Sequence, residues 1–205
     1  MRAIGFDGIA AFVASDRERA RQWLEEYFQS TDPDGGYTGR WFEYFSTRSD
    51  ERHIDANDVA AAATLSVPLD GKVVRSLFER ADQFDGFLAD APDRTVTLWD
   101  VDESELADGA PLAEAYSLLR SIPGIGYVTA SKLMACKRPH LVPIRDTVVE
   151  QLLGAGPAWW LPWRLVVSDT AFRDLVEEIT PPTVPAGTSV LRRLDVILWR
   201  AGKAG

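Results

Sequence analysis

One short segment constrains this chain more than any other: Ile122-Pro123-Gly124-Ile125-Gly126, set between two stretches of helical apolar spacing. A helix over Pro111–Ser121 ends there, the Pro-Gly-Ile-Gly turn reverses the chain, and a second helix starts at Tyr127 and runs to about Cys136. Gly124 and Gly126 permit backbone dihedrals and close approaches that a Cβ forbids. Ile125, between them, faces inward and pins the two helices together. The amides left over at the start of the second helix then point outward, where a helix N-terminus favours an anion.

The rest of the chain reads as helix with capped starts. Ser15-Asp16-Arg17-Glu18 predicts a capping box that opens a helix burying Trp23, Leu24, Tyr27 and Phe28, broken at Thr31–Gly36. Tyr37–Phe45, rich in aromatics, reads as a short strand or an irregular loop. Asp55 caps a helix through Val59–Ala63. A single helix is expected over Gly71–Ala89, with Val74, Leu77, Phe78 and Ala81 on one face, and Thr95–Val101 alternates weakly, as a strand would. Helices follow at Asp146–Leu153 and Trp159–Val167, then at Asp169–Ile179 behind a Ser168 cap, and a last one starts at Thr188 or Ser189. The expected fold is therefore all-α, with a short β embellishment compatible only near 37–45 or 95–101. A single domain over 1–205 is expected, with the hairpin core at about 110–153 and C-terminal helices at 158–200 packing back on it.

Composition excludes several classes. With 46% hydrophobic and 26% charged residues the chain can build a core. Its longest apolar runs, Val59–Leu65 and Trp159–Trp163, are far too short to span a bilayer, so no membrane partner is expected. Asp7 and the charged run Asp16–Arg19 argue against a secretory leader, and a cytoplasmic location is expected. Cys136 is the only cysteine and there are two histidines. A disulfide framework, a cysteine zinc site and an iron–sulfur cluster are thereby excluded, and no cofactor is expected beyond a monovalent cation at the hairpin turn.

The net charge of −9 opposes general nucleic-acid binding, yet the charge is uneven. From Tyr116 to Asp146 five bases (Arg120, Lys132, Lys137, Arg138, Arg145) stand against one acid, whereas nine acids crowd Asp82–Asp108. The first stretch reads either as an ordinary solvated face or as a footprint for a polyanion.

Ile122-Pro123-Gly124-Ile125-Gly126 with Thr129-Ala130, followed by Lys137-Arg138-Pro139-His140-Leu141-Val142-Pro143-Ile144-Arg145-Asp146-Thr147-Val148-Val149, resembles the helix–hairpin–helix DNA glycosylase superfamily. An actinobacterial family of unknown function that shares this core is the nearer resemblance. In the superfamily a proline-rich loop after the second hairpin helix leads to an Asp that opens the next helix. Here Asp146 stands 22 residues after Gly124, a similar spacing. The superfamily reads Pro–apolar–Asp, while this chain reads Pro143-Ile144-Arg145-Asp146, so either the loop carries one extra residue or Arg145 takes the acid's place. Where bifunctional members carry a Schiff-base lysine this chain has Val128, and Lys132 lies one turn further on.

The resemblance implies duplex DNA as partner. Its backbone would be held by Gly124, Ile125, Gly126, Thr129, Lys132, Lys137, Arg138 and Arg145, and Asp146 would be the catalytic carboxylate beside a flipped nucleotide. Asp146 also suits a plain helix N-cap. Arg40 and Trp41, in a glycine-flanked segment, are candidates for a pocket lip. Trp159 and Trp160, near Pro157, Pro162 and Trp163, are candidates for base stacking or for core packing. His140 reads as a loop residue. Three functional readings stay open: a DNA-binding, glycosylase-like protein with monofunctional base excision and no lyase step; a non-catalytic nucleic-acid or protein interaction module of the same fold; and a hairpin that serves internal packing alone.

Overall fold

The computed structural model describes residues 3–29, 35–156 and 158–204, so Thr31–Asp34 of the expected helix breaker and Pro157 lie outside the described residues. Among the described residues there are twelve α-helices and no strand. In chain order these are α1 (Ile9–Ser15), α2 (Arg17–Phe28), α3 (Phe42–Ser46), α4 (Ala56–Thr64), α5 (Gly71–Phe78), α6 (Ala81–Asp90) and α7 (Pro111–Arg120). They continue with α8 (Tyr127–Lys137), α9 (Thr147–Leu153), α10 (Trp160–Ser168), α11 (Thr170–Ile179) and α12 (Val190–Ala204). None is long and apolar enough to cross a membrane. The chain forms two compact units, one made of Met1–Tyr37 with Pro143–Gly205 and the other of Thr38–Val142. The expected core stretch 110–153 is divided between them: α7 and α8 belong to the second unit, α9 to the first.

In the first unit α12 packs on α2, α9 and α11, and α10 packs on α11. The residues expected on the buried face of α2 are buried. Its start is one residue later than the capping box implied. Asp16 is the cap and accepts from Arg19 N at 3.0 Å, while Ser15 closes α1 and turns its hydroxyl back to Phe12 O. Helix α1 itself, burying Ile9 and Val13, was not foreseen. Asp169 rather than Ser168 caps α11, because its carboxylate takes the Ala171 and Phe172 amides. Ser189 opens α12 as expected, its hydroxyl accepting from Arg192 N. Within the core, buried Arg192 bridges Asp195 (2.6 Å) and the Tyr27 hydroxyl (2.9 Å).

The second unit is organised around α8, which packs on α4 and α7, while α3 packs on α4 and α6 on α7. Every residue from Ala130 to Lys137 is buried, so α8 is its central helix. Asp55 and Asp58 close a reciprocal capping box at the start of α4, as Asp55 foretold.

Three expectations fail here, each for a physical reason. The segment 37–45 is neither strand nor loop: a 3-10 turn over Thr38–Trp41 leads into α3, which buries Phe42 and Glu43. The segment 95–101 is a run of turns, because Asp93 takes the amide and hydroxyl of Thr95, and Thr97 bonds Asp100, so local bonds replace a ladder. The single helix over 71–89 is divided at Glu79–Arg80. Arg80 leaves helical dihedrals (φ −108°, ψ 10°) and its amide bonds back to Leu77 O, so Val73 and Leu77 are buried on one helix and Phe84 and Leu88 on the next, while Phe78, expected inside, is 40% exposed.

Candidate functional site

The turn between α7 and α8 has the geometry its glycines require. Ile122 and Ile125 are buried, as the inward-facing isoleucine predicted, whereas Pro123, Gly124 and Gly126 are exposed. Gly124 has φ +95°, and a Cβ there would lie 2.7 Å from Val73 Cγ2, so both backbone and space demand glycine. Gly126 is the N-cap of α8, and no side chain caps that helix. Tyr116 donates its hydroxyl to Tyr127 O at 3.0 Å and ties the two helices beside the turn. Thr129, one turn inside α8, is half-buried. The exposed head of this 11-residue helix presents its positive dipole end to an anion.

The cations expected to flank this turn point elsewhere. Lys132 is 4% exposed and donates to Leu65 O at the end of α4 (3.0 Å). The ammonium of Lys137 is wholly buried: it pairs with Asp58 Oδ2 at 2.5 Å and donates to Ser49 Oγ (2.6 Å), Asp50 O (2.7 Å) and His53 O. Ser49 in turn donates to Asp58 Oδ1. Arg138 is 2% exposed and holds the carbonyls of Leu88, Glu51, Lys137 and Pro92. Arg145, in the other unit, pairs with Glu150, lies over the Trp159 ring and reaches Gly156 O. None of these four faces solvent as a phosphate contact would. A buried cation needs fixed acceptors, and helix ends and loop carbonyls supply them. Of the five bases in that stretch only Arg120 is exposed.

Asp146 is half-buried and caps α9, its Oδ1 accepting from Val148 N at 3.0 Å. The helix-cap role is thus present. Arg145 is turned to Glu150, one turn into α9, a carboxylate partner that sequence reasoning missed. Trp159 is core, not a stacking surface: it is 4% exposed, donates its indole N–H to Pro143 O, and packs edge-on against Phe6 and Trp163. Trp160 is half-buried.

Arg40 and Trp41 part company. Arg40 is 8% exposed, while Trp41 is 43% exposed with the Arg40 guanidinium 5.2 Å from its ring centre. Beside it stands Tyr44, 46% exposed, which the sequence did not single out. Asp58 and Ser49 were missed as well. The signal for Asp58 was its place three residues after the Asp55 cap.

Electrostatics follow burial. Burial pushes the Asp58 carboxyl above its ordinary range, against the pull of Lys137. Burial and the nearby Asp58 drive the Cys136 thiol well up, so it is a packed, unreactive group. Among the described residues no cluster of three or more His, Cys, Asp or Glu is placed to hold a metal.

Over residues 20–202 the chain matches the model of a family of unknown function, DUF6308. No curated protein and no solved structure matches it.

Proposed function

The chain belongs to the DUF6308 family, and we propose that it binds the backbone of duplex DNA through the turn between α7 and α8, as a helix–hairpin–helix protein of the glycosylase type. One observation carries this reading: the head of α8 is exposed, flanked by glycines and capped by no side chain. A phosphate oxygen brought to that turn accepts from the amides and meets the positive end of the helix. With most neighbouring cations spent in the interior, few counterions are released. The slope of log K against log salt is then shallow, about −1 to −2 for one or two phosphates neutralised.

Base excision, where it occurs, is monofunctional in this reading. Val128 stands at the position where an imine-forming lysine is expected, and the Lys132 ammonium is bound to Leu65 O inside the unit. Water, oriented by the Asp146 carboxylate, would be the nucleophile. A second reading, a binding module without chemistry, is favoured by the commitment of Asp146 Oδ1 to the α9 amide.

Gly126→Asp tests the binding step. Gly126 has φ −83° and ψ 177°, an N-cap geometry that aspartate adopts, and a Cβ there meets nothing within 4 Å. The new carboxylate occupies the amides and repels phosphate while stabilising the helix. The expected result in an electrophoretic shift is lost duplex binding with an unchanged or higher Tm. Wild-type affinity in the variant, or no binding by the wild type at low salt, overturns the proposal. Base release that vanishes in Asp146→Asn, with no adduct on borohydride treatment of abasic DNA, supports excision. Its absence across damaged bases leaves the binding module.

A further inference from the structure

The second unit carries an exposed aromatic pair that neither its core nor the hairpin turn uses. Trp41 closes the 3-10 turn over Thr38–Trp41 and Tyr44 lies on α3, and their rings meet edge to face at 5.9 Å. Both are large side chains left more than two-fifths exposed. Burying such rings is favourable, so a pair left open marks a contact surface more readily than a scattered residue does. Cations accompany both. The Arg40 guanidinium lies against Trp41, and the exposed Arg48 guanidinium lies 3.5 Å from the centre of the Tyr44 ring. Arg48 spends one nitrogen on Tyr44 O (2.7 Å), and its other N–H groups have no acceptor among the described residues. The platform is anchored: Thr38 donates to Thr64 O at the end of α4, next to the Leu65 carbonyl that Lys132 holds from α8.

We propose that Trp41, Tyr44 and Arg48 form a stacking platform for unpaired nucleotides of single-stranded DNA, a base lying on Trp41 and the adjoining phosphate on Arg48. The chemistry selects this occupant over an apolar peptide. The exposed Trp41 ring attracts any base through its π face, and Arg48, stacked over the Tyr44 ring, keeps its remaining donors for the phosphate that accompanies every base. A greasy helix would find a guanidinium where it needs a methyl group. The inference deepens the nucleic-acid reading given above, but it uses different residues, so each can fail alone.

The experiment is a fluorescence-anisotropy titration of the full chain with a labelled dT12 oligomer, an abasic oligomer of equal length, and duplex DNA. Wild type is expected to bind dT12 more tightly than the abasic oligomer. Trp41→Ala should weaken dT12 binding by roughly ten- to a hundredfold, the usual loss for one stacked base. Trp41→Phe should restore part of it, and duplex binding should be unchanged. Arg48→Gln should lower the steepness of the salt dependence by about 0.7, one phosphate on a single strand. Gly126→Asp should leave dT12 binding intact, so loss of duplex binding there bears on the hairpin alone. Equal affinity for the abasic oligomer, or wild-type dT12 binding by Trp41→Ala, overturns the platform. So does a dimer in solution that Trp41→Ala dissolves without any nucleic-acid binding, since the pair then serves a second copy of the chain.

Discussion

Lys137→Met separates the two roles that the sequence and the structure give this lysine. Methionine has nearly the same length and volume but no charge. It strands the buried Asp58 carboxylate and takes the lysine donor from His53 O and from Asp50 O, which keeps only the long bond from Ser49 Oγ. Removing one partner of a buried pair costs about 3–5 kcal/mol, chiefly because the other charge stays behind. Against a whole stability of about 5–15 kcal/mol this is a third or more. With m near 1–3 kcal/mol/M the urea midpoint should fall by about 1–5 M. The loss should also depend on pH in a definite direction. Asp58 is raised by burial even in the wild type, and without Lys137 it loses its largest downward pull. Its folded pKa then lies still further above the unfolded value, so the deficit is complete above that raised value and shrinks as pH falls through it. Lys137→Met/Asp58→Asn removes the stranded charge and should recover part of the loss, with a coupling above about 1 kcal/mol. Urea titrations of wild type, Lys137→Met, Asp58→Asn and the double variant between pH 4 and 8 decide it. A single variant as stable as wild type, or a deficit that ignores pH, refutes the clamp. Unchanged stability with weaker DNA binding would restore Lys137 as a phosphate contact.

Other consequences can be checked separately. Gly124→Ala should cost about 1–3 kcal/mol, from φ +95° and the Val73 methyl 2.7 Å from the new Cβ, whereas Gly126→Ala, at ordinary dihedrals in open space, should cost well under half of that; thermal melts compare them. Cys136 should resist thiol reagents in the folded protein and react at the rate at which its unit opens, because it is buried and its thiol is pushed up; fast labelling without unfolding would contradict this. Asp50, Asp70 and Asp93 are held below the ordinary carboxylate range, first of all by the amides of Arg52, Val73 and Thr95 respectively. Their stabilisation is complete above the unfolded value of 3.8 and disappears as pH falls through the lower folded values. Acid melts should therefore show a decline below about pH 4 that Asp70→Asn with Asp93→Asn makes shallower.

Much of the fold was legible because it rests on local signals. Asp55, Pro111 and the Pro-Gly-Ile-Gly turn announce their helix boundaries through caps and forbidden dihedrals that need no tertiary context. What was not legible depends on partners distant in sequence. Nothing near Arg80 says that the chain must turn there, and Leu77 and Phe84 on either side of it are both buried. The aromatic run at 37–45 has β propensity, but the burial of Phe42 and Glu43 together decides for a helix. Trp159, read as stacking or core, and Trp41, read as a pocket lip, were both candidates for a surface role. Only the packing of Phe6 and Trp163 around the first distinguishes them.

The basic stretch was misread for a reason that bears on function. Two of its cations serve the negative ends of other helices: Lys132 takes the carbonyl that follows α4 and Arg138 takes Leu88 O in the last turn of α6, while Lys137 answers the Asp58 carboxylate and the loop carbonyls ahead of α4. Helix C-termini leave carbonyls unpaired and carry negative dipole ends, so a central helix surrounded by them gains from cations along its length. A count of charges by sequence position sees the same residues as a footprint for phosphate. The apolar residues between them, Leu133-Met134-Ala135-Cys136, were the signal that this segment has no solvent face. What the interior absorbs is unavailable to a polyanion. Under the proposed nucleic-acid reading, affinity has to come from groups left at the surface: the exposed head of α8, Arg120, and Arg48 on its aromatic pair. That is a small electrostatic contribution on a body of net charge −9, so binding should be carried by geometry and stacking and survive moderate salt better than its weak low-salt strength would suggest.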